Sequence, residues 1–159
     1  MSSLIPFVLA ADDYGISPGV GAGIRALLKR KRLSAASCLV VSPHFRGEAP
    51  LLRDLAPEAD IGLNLALTQF PPLGPMPRLA PSGRLPETGR LVLLALAGRL
   101  DAAEIGGEID RQLDAFERAL GRPPDYVDGH HHVQQLPVIA DALLRRFATR
   151  LPRGTALSR

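Results

Sequence analysis

The 159-residue chain contains no tryptophan, one cysteine and only 4% aromatic residues. So few aromatic side chains argue against a stacking platform for single-stranded nucleic acid. Because Cys38 is the one cysteine, no disulfide can form within the chain, which is typical of proteins from a reducing compartment. Cys38 lies in an apolar stretch, residues 35–41, and is expected to be a small core residue.

Lysine is also scarce, with 2 lysines against 17 arginines, and the net charge is +3. The basic residues are scattered, apart from the clusters at 29–32 and 145–146. The first cluster falls at the predicted C-terminal end of a helix, where positive side chains complement the helix dipole. A solvated helix end is therefore favoured over a nucleic-acid surface, and no nucleic-acid partner is expected.

Long hydrophobic runs are absent, and the longest, residues 91–97, is far too short to span a bilayer. The start of the chain is apolar but lacks a basic segment, so it is interpreted as a buried first strand and not as a signal peptide. The length and the ordinary shares of hydrophobic (46%) and charged (22%) residues predict one globular domain, residues 1–159, in the cytoplasm.

Strand-like and helix-like patterns alternate along the chain. Strands are predicted at 4–11, 35–42, 59–67, 126–127 and 155–159, and helices at 18–28, 45–55, 90–98, 101–121 and 137–149. Asp101 and Glu104 form the pattern of a capping box at the start of the clearest helix, and Gly121 stops it. Residues 69–89 are rich in Pro and Gly and predict a long functional or mobile loop. The alternation predicts an α/β fold with parallel β/α repeats.

Polar residues cluster near the ends of three predicted strands. They are Asp12, Asp13, Asn64, Asp128, His130 and His132. In parallel sheets the carboxyl ends of the strands lie at one edge, where active sites form. If the fourth strand continues through the histidines, Asp128, His130 and His132 project to one side, because strand side chains alternate. Carboxylates and imidazoles that converge in this way predict a divalent-cation site.

Each of these segments also has a simpler interpretation. Residues 130–132 can be a polar loop that is rich in histidine by chance, and Asp12-Asp13 an acidic turn before a helix. Taken together at equivalent strand ends, the two segments favour a metal site. His44, after the second strand, is expected to be a solvated loop residue.

Three motifs, taken in order, resemble the YdjC-like carbohydrate deacetylase family, which includes chitooligosaccharide deacetylases and a hopanoid-pathway deacetylase. They are AADDYGISPG at 10–19, IGLNL at 61–65 and VDGHHHV at 127–133. The resemblance covers the whole chain. It implies a (β/α) barrel and the metal-dependent removal of an N-acetyl group from an amino sugar or glycolipid.

By this resemblance, Asp12 matches the family's general base, and Asp13 and His130 match two metal ligands. Asn64 stands at the third ligand position, and Mg²⁺ and Zn²⁺ both remain open. Further residues are expected around the site or against the substrate: Asp128, His132 and Tyr14.

The sequence departs from the family pattern at Asn64, where the family has histidine, and at Gln134, which ends the histidine motif. The resemblance also implies further strands beyond those in this chain, so a partial barrel is expected. Two functions stay open: a deacetylase, and a non-catalytic relative that acts as a binding or assembly module. Because an unclosed sheet exposes two edges, a homo-oligomer is expected.

Overall fold

A computed structural model, which describes residues 7–55 and 57–158, shows a five-stranded parallel sheet with helices between the strands. The strands are β1 (Ala10–Tyr14), β2 (Ala35–Cys38), β3 (Asp60–Leu65), β4 (Tyr126–Gly129) and β5 (Ala156–Leu157). The helices are α1 (Pro18–Lys29), α2 (Phe45–Arg53), α3 (Thr88–Leu96), α4 (Ala102–Leu120) and α5 (Ile139–Thr149). The predicted α/β fold with parallel β/α repeats is confirmed.

The strands lie in chain order, β1-β2-β3-β4-β5, so β1 and β5 are the two edges of the sheet. The sheet is curved, since residues beside both edges, such as Val8 and Ser158, line one cavity. Within residues 7–55 and 57–158, β1 pairs with β2 and β5 pairs with β4, and the sheet does not close. The described strands therefore form an open, curved sheet with one concave face.

The core lies between the convex face of the sheet and the helices. Alternate residues of β3, Ile61, Leu63 and Leu65, are fully buried. They belong to one cluster with the apolar stripe of α4: Ile105, Ile109, Leu113, Phe116 and Leu120. Cys38 is fully buried in this cluster, as predicted. None of the described helices is long and apolar enough to cross a membrane.

The first strand lies further along the chain than the sequence predicted. The expected strand at 4–11 was to be buried on both faces, but Phe7, Val8 and Leu9 are 81%, 67% and 50% exposed. Residues 4–6 lie outside the described residues. The prediction of burial is wrong for 7–9 because this segment lies at an edge of the sheet, where one side has no neighbouring strand.

Helix α4 fixes the long segment between β3 and α3, residues 66–87. Three side chains spaced four residues apart on α4 bond its backbone. The Glu104 carboxylate accepts from the N–H groups of Arg78 and Leu79 at 2.8 and 3.1 Å. Glu108 accepts from Leu73 N–H at 2.9 Å. The capping box is thus half formed, because Glu104 bonds this segment while Asp101 caps the helix.

The third of these side chains, Gln112, is fully buried and bonds both backbone groups of Ala66. Its Oε1 accepts from Ala66 N–H at 3.0 Å, and its Nε2 donates to Ala66 O at 2.7 Å. Nε2 also donates to Glu108 Oε1 at 2.9 Å, so the two side chains act as one unit. The segment is held by bonds to a regular helix, although it has no helix or strand of its own.

Candidate active site

A β-bulge in β1 places two adjacent carboxylates on the concave face. Ala11 pairs with Ala36 and Tyr14 with Cys38, so β1 advances three residues where β2 advances two. Asp13 lies within this bulge with a φ of 60°, a left-handed conformation that is uncommon outside glycine. Bulges change the direction of side chains, and this one allows the side chains of Asp12 and Asp13 to lie on the same side of the sheet.

The same bulge turns Tyr14 to the opposite face. Tyr14 is fully buried, its hydroxyl donates to Glu48 O at 2.8 Å, and Arg25 donates to that hydroxyl at 2.7 Å. Burial raises the pKa of Tyr14, and the Arg25 guanidinium opposes the rise. Simple alternation from Asp12 would have placed Tyr14 beside it. The structure instead puts Tyr14 between β1, α1 and α2, where it cannot contact a substrate on the concave face.

Asp13, Asn64 and His130 meet at the carboxyl ends of β1, β3 and β4, and we call them the Asp13 cluster. Asn64 Nδ2 donates to Asp13 Oδ1 at 2.8 Å, and His130 Nδ1 lies 2.9 Å from the same oxygen. Asn64 and His130 are 2% and 9% exposed, and the Asp13 side chain is 32% exposed. Two side chains far apart in the sequence, those of Asn64 and His130, therefore converge on one oxygen of Asp13, whose side chain is partly exposed.

The histidine segment leaves the strand after Gly129 and forms a kinked turn over His130–Gln135, whose backbone is non-helical at His131 and His132. His131 and His132 both have a φ of 57°, so the predicted continuation of the strand through the histidines is wrong. The rings of His130 and His131 lie 4.0 Å apart at their centroids, on the same side instead of opposite sides. A strand cannot place consecutive side chains in this way, because its side chains alternate.

His131 is held by two hydroxyl groups from the segment that α4 fixes and from the start of α3. Its Nδ1 lies 3.0 Å from Thr68 Oγ1 and 2.8 Å from Thr88 Oγ1. Burial lowers the pKa of His131, and His130 adds to the decrease. The edge of the Phe70 ring also contacts His130, with the centroids 5.8 Å apart. The sequence patterns missed Thr68, Phe70 and Thr88 because they lie outside the strand-end motifs.

A cavity of about 790 Å³ opens on the concave face, and much of its lining comes from the segments just before β4 and β5; the three residues of the Asp13 cluster do not line it. Its walls include Asp12, Tyr126, Asp128 and His132. The Tyr126 ring lies against Gly62, where a Cβ would stand 2.5 Å from the ring, so this position has no room for a larger residue. The cavity therefore gathers three of the sequence-predicted residues next to the cluster that holds three more.

Asp128 is a buried carboxyl group with an unsatisfied atom. Its Oδ1 is buried and has no hydrogen-bond partner among the described residues. Burial raises the pKa of Asp128 to about 7, the Ser37 hydroxyl opposes the rise, and the Asp12 carboxylate adds to it. Ser37 also donates to Asp12 Oδ1 at 3.3 Å. Asp12 itself is exposed to the cavity and so can reach a bound molecule.

The donors of the Asp13 cluster bear on which cation the site can accept. Among the described residues, no group of three or more His, Cys, Asp and Glu side chains could hold a metal ion. The cluster offers one carboxylate, one imidazole and, after a turn of the Asn64 amide, one amide oxygen. An oxygen-rich set fits a hard cation such as Mg²⁺, which retains water ligands, better than it fits zinc. His44, the remaining histidine, is exposed at the start of α2, as expected.

The sequence is similar to a family of known proteins over most of its length. Residues 6–155 match the family model described as YdjC-like protein. A chitooligosaccharide deacetylase from Enterobacter sp. (strain 638) is 34% identical over 94% of this chain and 57% of its own length. One from Serratia marcescens is 36% identical over 83% of this chain and 51% of its own. The chain thus spans about half the length of the curated relatives it matches.

A solved structure from Enterococcus faecalis V583, named as a cellobiose-phosphate cleavage protein, shares the fold with a TM-score of 0.74. The two chains are 26% identical, and the similarity covers 91% of this chain and 56% of the other. The open sheet and its helices therefore correspond to about half of a larger protein of known structure.

Proposed function

Because this chain belongs to the YdjC-like protein family, we propose that its concave face carries the site of a carbohydrate deacetylase. The reaction is hydrolysis of the acetamide group of an N-acetylated amino sugar. Water adds to the amide carbonyl, the C–N bond breaks, and acetate and a free amine leave. The curated relatives named chitooligosaccharide deacetylases support this class of substrate.

One observation carries the proposal: Asp13 Oδ1 lies within 2.9 Å of both Asn64 Nδ2 and His130 Nδ1, at the strand ends beside an exposed Asp12. The fold brings these residues together across β1, β3 and β4, and the β1 bulge adds Asp12 to the same face. Active sites of parallel α/β folds lie at this end of the sheet.

We assign Asp13, His130 and Asn64 to a divalent cation, for which their donor set fits Mg²⁺ better than Zn²⁺. When bound, such a cation supplies Lewis acidity, which polarises an acetamide carbonyl and makes an attacking water more acidic. The cation site and the catalytic site are then neighbours on one face.

Asp12 acts as the general base in this proposal. Its carboxylate is exposed to the cavity, where it can accept the proton of the attacking water, and the Ser37 hydroxyl bonds its Oδ1. The cavity beside it, about 790 Å³, has the size of a small-molecule site and room for a sugar unit. Asp128 and His132 line the same cavity and are placed to contact either Asp12 or the sugar.

Acetate release from N,N′-diacetylchitobiose, measured with added Mg²⁺ or Zn²⁺, tests the proposal. We expect acetate from the wild type, a loss of at least about a hundredfold in Asp12→Asn, because general bases contribute this much, and a comparable loss in His130→Ala. His44→Ala is the matched control, since His44 is exposed and outside the Asp13 cluster. Equal rates in the wild type and Asp12→Asn would refute the assignment of the base.

Asn64 favours a second candidate, a relative that binds sugar without hydrolysing it. Its amide nitrogen donates to Asp13, a bond that satisfies the carboxylate without any cation. In that case N,N′-diacetylchitobiose binds, acetate is not released at any metal concentration, and His130→Ala leaves the sugar affinity unchanged.

A further inference from the structure

We propose that His131 is a substrate-binding residue, whose Nε2 forms a hydrogen bond with a hydroxyl group of the sugar. The inference rests on the proposed carbohydrate site and extends it beyond the 790 Å³ cavity, which His132 lines and His131 does not. It follows from the way the His131 side chain is held, from its backbone conformation and from its position beside His130.

The orientation of the His131 ring is fixed at one nitrogen. Nδ1 contacts the hydroxyls of Thr68 and Thr88 at 3.0 and 2.8 Å, and Thr68 is itself fully buried. These threonines belong to different segments, one just after β3 and one at the first position of α3. A solvated surface histidine does not usually bond side chains of two separate elements, so these contacts indicate that the orientation of the His131 ring matters.

The other ring nitrogen, Nε2, has no hydrogen bond within residues 7–55 and 57–158, and the residue is exposed. Whichever nitrogen carries the proton, Nε2 offers one hydrogen-bonding function, as donor or as acceptor. A sugar hydroxyl complements either, because it can both donate and accept.

The backbone at His131 is held in a costly conformation. His131 and His132 are consecutive non-glycine residues at a φ of 57°, in the left-handed region. Such residues cost about 1–3 kcal/mol each and concentrate at ligand-binding sites, where the surrounding structure enforces them. Here the conformation brings the His131 ring to 4.0 Å from His130, within the Asp13 cluster's immediate surroundings.

Phe70 adds an apolar surface to this position. It is half-buried, and its ring lies 5.8 Å from that of His130. Sites for small molecules combine aromatic surfaces with a few oriented polar groups. A pyranose ring, which has apolar faces and a rim of hydroxyls, fits that combination.

Titration with N,N′-diacetylchitobiose, followed by NMR of protein labelled with ¹⁵N in its histidine rings, tests the proposal. We expect the Nε2 resonance of His131 to shift when the sugar is added to the wild type, with His131→Gln used to assign the signal. His131→Ala should weaken sugar binding about five- to tenfold, as the loss of one hydrogen bond predicts, and leave Mg²⁺ affinity unchanged. His44→Ala is the control for loss of an exposed histidine.

Several results would overturn the proposal in different ways. Unchanged sugar affinity in His131→Ala, or a stationary Nε2 signal in the wild type, would remove His131 from the site and leave the proposed function intact. Parallel losses of sugar and Mg²⁺ affinity would show that His131 acts by supporting His130. A wild type that binds no sugar would refute the proposed function as well.

Discussion

Replacing Asn64 with histidine exchanges the amide donor of the Asp13 cluster for an imidazole, which suits zinc better. Asn64 is 2% exposed, lies opposite Asp128 in the strand register, and directs its amide at Asp13 Oδ1 from 2.8 Å. An imidazole at this position replaces the weak amide donor beside Asp13 and His130. We therefore expect Asn64→His to tighten zinc binding at least about tenfold, or ~1.4 kcal/mol.

The same substitution weakens the metal-free protein. It removes a hydrogen bond to a charged group, which contributes about 1.5–3 kcal/mol, and it adds volume at a buried position. Zinc at a hundred times its dissociation constant returns about 2.7 kcal/mol by mass action. In EDTA the variant should unfold at a lower temperature than the wild type, and zinc should remove most of that difference.

Isothermal titration with zinc and thermal unfolding, each with and without EDTA, measure the two effects. Asn64→Ala is the matched control, because it loses the same hydrogen bond and supplies no ligand. If Asn64→His and Asn64→Ala bind zinc equally, position 64 does not reach the cation and the assigned site is wrong. Tighter zinc binding without acetate release would place the catalytic deficit outside this cluster.

Three further outcomes are expected. Gln112→Met should lower the free energy of unfolding in urea by about 2–4 kcal/mol, because both backbone groups of Ala66 lose their partner, while the exposed Gln135→Met should change it little. Asp128→Asn should stabilise the protein at pH 8, by about 1–3 kcal/mol, and have little effect near pH 3.5. The folded-state pKa of Asp128, about 7, lies above the ordinary value of 3.8, so the stability of the wild type falls as the pH rises between these values. Urea unfolding at pH 3.5 and pH 8 measures the effect. If Asp128 were solvated, the variant and the wild type would differ equally at the two pH values. We also expect self-association through the open edges, and light scattering that finds a monomer at all concentrations would contradict it.

The features that depend on residues close together in the sequence could be predicted. Helix α4 begins after Asp101, which caps the N–H groups of Ala103 and Glu104, and ends at Gly121 with a φ of 74°. Both signals are local, because the cap and the stop act within one turn. The convergence of Asp13, Asn64 and His130 was also expected, since parallel strands end at one edge of the sheet.

The features that depend on tertiary contacts could not be predicted. The bulge in β1 follows from the pairing with β2, and it reverses the side on which Tyr14 lies. His131 has a left-handed backbone, and its side chain contacts Thr68 and Thr88, which come from other segments. Glu104 has the spacing of a capping box, yet it bonds amides 26 and 25 positions earlier, which have no other partner in the described structure.

The polar stripe of α4 limits which insertions and deletions this chain can tolerate. Glu104, Glu108 and Gln112 bond the 66–87 segment from successive turns of one helix face. One residue added between them would rotate the following positions by about 100°, given 3.6 residues per turn, and would break the contacts of every later turn at once. By contrast, the exposed residues 81–84 lie beyond the bonded amides, so length changes there leave the anchors in register. Natural variation in the length of this segment should therefore concentrate at 81–84, with the number of residues between Glu104 and Gln112 held constant.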